Sequence, residues 1–298
     1  MLLPSLSLDR WLKSALHLIR NFRVLDWKAY FGIGLLGYIH RVDKSLLNYT
    51  GYLALTKFSL NIALFLSFTF SINNCFDLDT DRHSRHKLAK NPVAEGHISF
   101  VQGLAASLSI AILGLALSYI WFGGLSFIIY SMLTLLALIY STPPFRLKAK
   151  PLLDLITHGL MLGGLLFIYG AILGGDITPL SIILAFSTFV YSAILELRNH
   201  IEDYYSDASA GLKTTACFLG PEGSRKLLKA MLLLHLLLIT LAMISVTQLI
   251  YPTPVTIPLA LVDRRDRLMR TARFFDLITA LAYSTVVLNR VMRLLGAV

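Results

Sequence analysis

The sequence predicts an all-α, polytopic membrane protein with about nine transmembrane helices. Of its 298 residues, 56% are hydrophobic and 15% are charged, whereas a soluble domain carries roughly 25% charged residues. The mean hydropathy is +0.67, and several apolar runs reach about 20 residues, the length that crosses a bilayer. Because no polar stretch is long enough for a separate soluble domain, we expect residues 1–298 to form one transmembrane domain.

Nine apolar runs are the candidate crossings. They lie at residues 24–40, 52–76, 99–120, 122–141, 152–173, 178–197, 226–249, 250–263 and 271–292. The eighth run, "YPTPVTIPLALV", contains three prolines and is short for a hydrocarbon layer about 30 Å thick, so its full crossing is left open. Residues 1–23 precede the first run and are read either as an amphipathic helix on the membrane surface or as a polar tail.

Basic residues give the expected orientation of the chain. If the N-terminus is cytoplasmic and every run crosses, the cytoplasmic segments hold 22 of the 27 Lys and Arg residues. This excess is the positive-inside pattern of membrane proteins, so the net charge of +10 reflects topology rather than nucleic-acid binding. The two cysteines, Cys75 and Cys217, indicate neither a disulfide framework nor a cysteine metal site.

An acidic motif follows the second apolar run. In "NNCFDLDTD", Asn73, Asp77 and Asp81 have the pattern N-x-x-x-D-x-x-x-D. Positions i, i+4 and i+8 of an α-helix share one face, so an amide and two carboxylates should point into one space. The off-face residue Asp79 is not expected to take part. The motif lies at the cytoplasmic end of its helix by the charge pattern.

The same pattern occurs again after the sixth run. In "NHIEDYYSD", Asn199, Asp203 and Asp207 repeat the spacing, four crossings later and at the same expected membrane face. Oxygen-only ligands favour a hard cation such as Mg²⁺, which binds through one or two carboxylates together with substrate phosphates. Two acidic motifs with basic residues nearby therefore predict a Mg²⁺-bound diphosphate. Its organic part should be apolar at the mouth of a hydrophobic bundle, and an isoprenyl diphosphate fits.

These residues resemble the UbiA-type family of intramembrane prenyltransferases. The resemblance covers most of residues 60–220 and rests on "NNCFDLDTD", "NPVAEGHIS", "YSTPPFRLKAKPLLD" and "NHIEDYYSDASAGLKTT". It implies a nine-helix bundle around a central cavity with cytoplasmic cap loops. It also implies Mg²⁺-dependent transfer of a prenyl group from its diphosphate to an acceptor.

The resemblance also implies roles for individual residues. Asn73, Asp77 and Asp81 would bind one Mg²⁺–diphosphate edge, and Asn199, Asp203 and Asp207 would bind the other. Four basic residues would neutralise the diphosphate, and Tyr140 would lie near the reacting carbon; the basic residues are Arg82, Arg146, Lys148 and Lys213. Tyr140 could equally be an interfacial aromatic residue, and the loop cations could be topology signals.

Three further ionisable residues lie within or beside apolar runs, where such residues are functional candidates. Glu196 shares a helix face with Asn199, and His158 follows Asp154 by four residues, so those two could pair structurally. The acceptor stays open between an aromatic or quinone-precursor ring, which we favour, and a glycerol-phosphate lipid, a tetrapyrrole or a carotenoid. A membrane terpene cyclase and a transporter are the alternative functions; the transporter is disfavoured because the acids lie at one membrane face.

Overall fold

The computed structural model describes residues 4–82, 85–247 and 265–297, and every regular element within these residues is helical. The side chains of residues 4–12, 79 and 265–273 are not described. The α-helices are α1 Pro4–Asn21, α2 Lys28–Arg41, α3 Tyr49–Phe76, α4 Leu78–Asp81, α5 Arg85–Leu88, α6 Phe100–Phe122, α7 Gly124–Ser141, α8 Leu153–Gly159, α9 Leu165–Gly174, α10 Pro179–Glu202, α11 Tyr204–Ser209, α12 Thr215–Thr247 and α13 Arg265–Leu294. A π-helical turn, Leu160–Gly164, joins α8 to α9.

Seven helical segments among the described residues are long and apolar enough to cross a membrane. They are Tyr49–Phe76, Phe100–Phe122, Gly124–Ser141, Leu153–Gly174, Pro179–Glu202, Thr215–Thr247 and Phe274–Leu294. An all-α, multi-pass membrane protein is thereby confirmed, but the predicted count of nine crossings is not.

The two remaining runs explain the difference. The first run, 24–40, forms only the 14-residue helix α2, because Arg23 takes a left-handed conformation (φ 52°) and a short 3₁₀ turn, Val24–Asp26, precedes the helix. The eighth run, 250–263, lies outside the described residues.

The residues form two compact units, each described by itself. The first unit comprises Met1–Phe31 and Leu60–Arg146, and the second comprises Gly32–Ser59 and Leu147–Val298. The predicted central cavity and the single-domain organisation of residues 1–298 stay predictions.

In the first unit, three membrane helices are held in register by polar contacts. The Asn61 side-chain amide on α3 donates to the Gly114 carbonyl on α6 at 2.9 Å, and the Tyr130 hydroxyl on α7 donates to the Asn61 carbonyl at 3.3 Å. Gly123 (φ 83°) ends α6 and permits the tight turn into α7. The C-terminal ends of α3 and α7 also meet, because the Ser141 hydroxyl donates to the Asn73 side-chain oxygen at 3.2 Å. These ends carry the first acidic motif and "YSTPPFR".

In the second unit, α10 packs against α8, the π-helical turn and α12. Close approach depends on small residues: a Cβ on Gly163 would collide with the Thr188 carbonyl oxygen of α10, and one on Gly159 would lie 2.9 Å from Phe189. Helix α10 begins with a capping box between Thr178 and Ser181, which satisfies the first backbone amides. Its opposite end carries the second acidic motif.

Candidate functional site

The first motif spans a helix break. Helix α3 ends at Phe76, Asp77 has non-helical angles (φ −105°, ψ 17°), and α4 begins at Leu78. The Asp81 amide still donates to the Asp77 carbonyl at 2.8 Å, so the four-residue spacing is kept across the break. The prediction of one uninterrupted helix is therefore wrong at Asp77, because that residue closes one helix and starts the next.

Contacts within the first unit bring Asn73, Asp77 and Arg146 together. The Asn73 side-chain amide donates to Asp77 Oδ2 at 2.8 Å, and its oxygen accepts from the Ser141 hydroxyl at 3.2 Å. Arg146 Nη2 lies 3.4 Å from Asp77 Oδ1 and at 3.3 Å from the Phe76 carbonyl oxygen. Arg146 Nε is buried and has no hydrogen-bond partner, so this guanidinium retains a donor beside the motif.

Asp81 is buried and is held by a residue that was given no role from the sequence. The Asn91 side-chain amide donates to Asp81 Oδ2 at 2.9 Å, and Asn91 is itself fully buried. Asn91 opens the "NPVAEGHIS" segment, and its oxygen accepts from the backbone amide two residues later, Val93, at 3.1 Å. An Asn that starts a turn before Pro was the available signal for such a local bond.

The second motif has the same backbone arrangement. Helix α10 ends at Glu202, Asp203 has non-helical angles (φ −88°, ψ 4°), and α11 begins at Tyr204. The Asp207 amide donates to the Asp203 carbonyl at 2.9 Å, as in the first motif. Both copies thus place a helix break at the middle aspartate and a buried carboxylate four residues later. The repeat in sequence is also a repeat in local structure.

A series of polar contacts leads from the exposed Asn199 of the second motif to buried residues of α10 and α8. Exposed Asn199 donates to Glu196 Oε2 at 3.4 Å, and Glu196 Oε1 lies 3.1 Å from His200 Nε2. His158 Nε2 approaches Glu196 Oε2 at 3.4 Å. Asp154 lies 3.3 Å from His200 Nδ1. The suggested pairing of Asp154 with His158 is therefore replaced by separate contacts of these two residues with His200 and Glu196.

Asp154 is the last residue in this series of polar contacts, and it is fully buried. Its carboxylate accepts the Thr215 amide at 2.6 Å, the Thr215 hydroxyl, and the Leu155 amide at 2.7 Å. Sequence reasoning missed His200 and Thr215. Only the four-residue spacing of Glu196 and His200 could have indicated one of these contacts.

The other predicted site residues are distributed over both units. Tyr140 is buried one residue before Ser141, and the exposed Arg82 donates from Nε to the Ala94 carbonyl at 3.4 Å. Lys148 lies in a 3₁₀ turn of the second unit and is half-buried, and Lys213 is exposed after α11. Within the first unit, Tyr140 and Arg82 therefore belong to the segments that carry Ser141 and Asp81.

The donor set of each motif fits Mg²⁺. Among the described side chains, no three His, Cys, Asp or Glu groups converge as a complete metal site. Mg²⁺ does not need such a cage, since it typically binds one or two carboxylates and fills its other positions with water and phosphate oxygen. Two carboxylates and an amide in each motif, with the unpartnered Arg146 Nε beside the first, suit a metal–diphosphate group rather than a bare cation.

Comparison with known proteins gives a consistent family. A sequence model described as the UbiA prenyltransferase family matches residues 46–272. The chain is 30% identical over 168 residues to a lycopene elongase/hydratase of Haloarcula japonica, covering 54% of this chain and 55% of that protein. It is 32% identical over 176 residues to a chloroplastic 2-acylphloroglucinol 4-prenyltransferase of Humulus lupulus, covering 56% and 42%.

The matched part of the chain spans about half the length of these curated relatives. The fold is also that of a solved structure, a UbiA homolog from Archaeoglobus fulgidus bound to GPP and Mg²⁺. That structure has a TM-score of 0.69 and 24% sequence identity, with coverage of 92% of this chain and 99% of that one.

Proposed function

Because the chain belongs to the UbiA prenyltransferase family, we propose that it transfers a prenyl group from an isoprenyl diphosphate to a lipophilic acceptor, with Mg²⁺ as cofactor. One observation carries the proposal: N-x-x-x-D-x-x-x-D occurs twice, each time with a helix break at the middle aspartate. The Archaeoglobus homolog, which shares the fold, was solved with GPP and Mg²⁺. We also propose that the N-terminus and both motifs lie on the cytoplasmic side, which the distribution of Lys and Arg along the chain supports.

Each motif is proposed to hold one part of the metal–diphosphate group. The ligands are Asn73, Asp77 and Asp81 in the first motif and Asn199, Asp203 and Asp207 in the second. When bound, Mg²⁺ would offset the charge of the carboxylates and stabilise the negative charge that develops on the leaving diphosphate. The Asn73 side-chain amide donates a hydrogen bond to Asp77 at 2.8 Å, which supports a second role for Asn73, to orient the Asp77 carboxylate.

Arg146 is proposed to bind the leaving diphosphate. Its Nη2 lies 3.4 Å from Asp77, which fixes the guanidinium, while its buried Nε has no partner and can donate to a phosphate oxygen. A fixed donor aimed at developing charge lowers a barrier without reorganisation during the reaction. Arg82, Lys148 and Lys213 would add positive charge around the diphosphate.

The proposed reaction breaks the bond between the allylic carbon and the diphosphate oxygen. The resulting allylic cation is attacked by an electron-rich carbon of the acceptor, which then loses a proton. Tyr140 is proposed to lie beside the allylic carbon that becomes the cation. Its burial and its place next to Ser141, which contacts Asn73, support this position. An aromatic ring next to a cation can stabilise it through its π face.

We favour an aromatic acceptor, because the Humulus lupulus relative is named a 2-acylphloroglucinol 4-prenyltransferase and phloroglucinol is an aromatic ring. A carotenoid is the second candidate, because the haloarchaeal relative is named a lycopene elongase/hydratase. Both acceptor classes present an electron-rich π bond to the cation. A glycerol-phosphate lipid and a tetrapyrrole stay open as acceptors. Cyclisation of the prenyl chain itself is a further alternative, and it would need no acceptor.

Product analysis tests the function. Purified protein in lipid nanodiscs is incubated with Mg²⁺ and geranylgeranyl diphosphate, with and without a phenolic acceptor or lycopene. We expect a prenylated acceptor by mass spectrometry, formed only when acceptor and Mg²⁺ are both present. A cyclic hydrocarbon released without acceptor would replace transfer by cyclisation. Unchanged diphosphate under all conditions, tested over several prenyl chain lengths, would contradict the proposal.

A further inference from the structure

Three fully buried asparagines connect the N-terminal helix α1 to Asp81. The Asn74 side-chain amide donates to Asn21 of α1, to its side-chain oxygen at 3.0 Å and its carbonyl at 3.3 Å. The Asn91 side-chain amide donates to the Asn74 carbonyl at 2.9 Å and to Asp81 Oδ2 at 2.9 Å. All three asparagines have an exposed fraction of 0%.

Asn91 uses its full hydrogen-bonding capacity in this position. A side-chain amide has two donors and one oxygen with two lone pairs. The two donors go to Asn74 and Asp81, and the oxygen accepts the Val93 and Ala94 backbone amides at 3.1 Å each. The backbone partners also fix which end of the amide is nitrogen, because two N–H groups require an oxygen. Asn91 therefore presents a donor to Asp81 in one orientation.

Apolar and ionic contacts surround the segment that carries Asn91. Val93 belongs to a small apolar cluster with Cys75 and Ile98, and a Cβ on Gly103 of α6 would approach Val93 and Cys75 at about 3 Å. On the outer side, Arg20 of α1 lies 2.7 Å from Glu95. The segment that carries Asn91 is thus fastened to α1, α3 and α6.

Packing alone does not explain these three hydrogen-bonded asparagines. Asn21 Nδ2 and Asn74 Oδ1 are buried without hydrogen-bond partners, which is an unfavourable arrangement for amides in an apolar environment. Apolar residues would avoid that cost. The three asparagines keep this unfavourable arrangement and lead to the buried Asp81 carboxylate. We take this as an indication that the position of the Asp81 carboxylate matters for function.

We propose that Asn91 is a positioning residue that fixes the Asp81 carboxylate for the metal–diphosphate group. The inference rests on the proposed function of Asp81 and adds what holds it. Partners that orient metal ligands from behind the ligand typically change metal affinity by about 10- to 100-fold when they are removed.

The test measures Mn²⁺ affinity by electron paramagnetic resonance, on the purified full-length protein with inorganic pyrophosphate, without turnover. Asn91→Leu removes the donor at similar volume, and Asn91→Ser serves if the leucine variant does not fold. Asn61→Ala is the matched control, because it also removes a fully buried amide of the same unit, bonded to a backbone carbonyl. We expect about 10-fold weaker Mn²⁺ binding in the Asn91 variants and wild-type binding in Asn61→Ala.

A double-mutant cycle separates positioning from general damage. We expect Asp81→Asn to weaken Mn²⁺ binding, and Asn91→Leu to add nothing in that background. Equal weakening by Asn91→Leu with and without Asp81 would overturn the inference, as would wild-type affinity of both Asn91 variants beside a weakened Asp81→Asn. If Asp81→Asn itself binds Mn²⁺ like the wild type, the proposed role of Asp81 fails and the inference falls with it.

Discussion

Removal of the Asp154 carboxylate should strongly destabilise the second unit. Asp154 is fully buried and accepts the Thr215 amide at 2.6 Å, the Thr215 hydroxyl and the Leu155 amide at 2.7 Å, with His200 Nδ1 at 3.3 Å. Asp154→Ala leaves the amide and hydroxyl of Thr215 and the amide of Leu155 without their acceptor in an apolar environment. Each buried donor without a partner costs about 1–3 kcal/mol, and we take about 4 kcal/mol for the three together. At about 2 °C per kcal/mol, the apparent melting temperature should fall by about 8 °C.

Melting of detergent-solubilised protein, followed by size-exclusion chromatography after heating, measures this shift. Asp154→Asn should fall between the alanine variant and the wild type, because its amide keeps the volume and one acceptor but presents a donor to Thr215. The exposed Asp176→Asn is the control and should melt within 1–2 °C of wild type, as surface substitutions do. An Asp154→Ala protein that melts with the control would refute the account of the buried contacts of Asp154.

Two further predictions concern single contacts, and a third concerns the orientation in the membrane. Arg146→Gln should lower kcat/KM for the diphosphate by about 10- to 100-fold, the loss of one or two charge-assisted hydrogen bonds, whereas unchanged kinetics would remove Arg146 from the site. Burial raises the pKa of Asp26, but the neighbouring Arg23 and Lys90 lower it by more, so the pKa lies below its usual 3.8. Asp26→Asn should therefore be about 1 kcal/mol less stable than the wild type at pH 7. The difference should vanish as the pH falls below about 4, and melting measured across pH tests this. In a cysteine-free background, Ala210→Cys should react with an impermeant maleimide only from the cytoplasmic side, and labelling from outside would invert the topology.

The fold class was predictable because hydropathy acts along the chain. Helices that must cross a bilayer need long apolar runs, and the seven spans follow those runs. Helix ends were less predictable. The apolar run from residue 24 suggested that the first crossing helix would begin there. Because Arg23 is left-handed and a 3₁₀ turn follows it, helix α2 begins only at Lys28. Hydropathy does not encode that backbone choice.

The candidate site was predictable where its residues are close in sequence. The spacing in each motif indicated the i, i+4 relation, which the Asp81–Asp77 and Asp207–Asp203 backbone bonds keep. The helix break at each middle aspartate was not visible, because Asp is compatible with both a helix end and a helix start.

Partners from distant segments were not predictable. Thr215 reaches Asp154 from 61 residues away, and Asn74 joins Asn21 from 53 residues away. Such pairs depend on how helices pack, which a single sequence does not display. Asn91 was within reach of local reasoning, but its contact with Asp81 needed the fold of the intervening segment.

Diphosphate release tests the central claim most directly. The full-length protein in nanodiscs is supplied with geranylgeranyl diphosphate, acceptor and Mg²⁺, and inorganic diphosphate is measured over time. We expect release that stops on chelation of the metal and falls by at least 100-fold in Asp77→Ala and in Asp203→Ala. Glu202 is exposed and is not one of the N-x-x-x-D-x-x-x-D positions, so Glu202→Gln should stay at the wild-type rate. Wild-type release in either aspartate variant would contradict the assignment of the two repeated motifs as the diphosphate site.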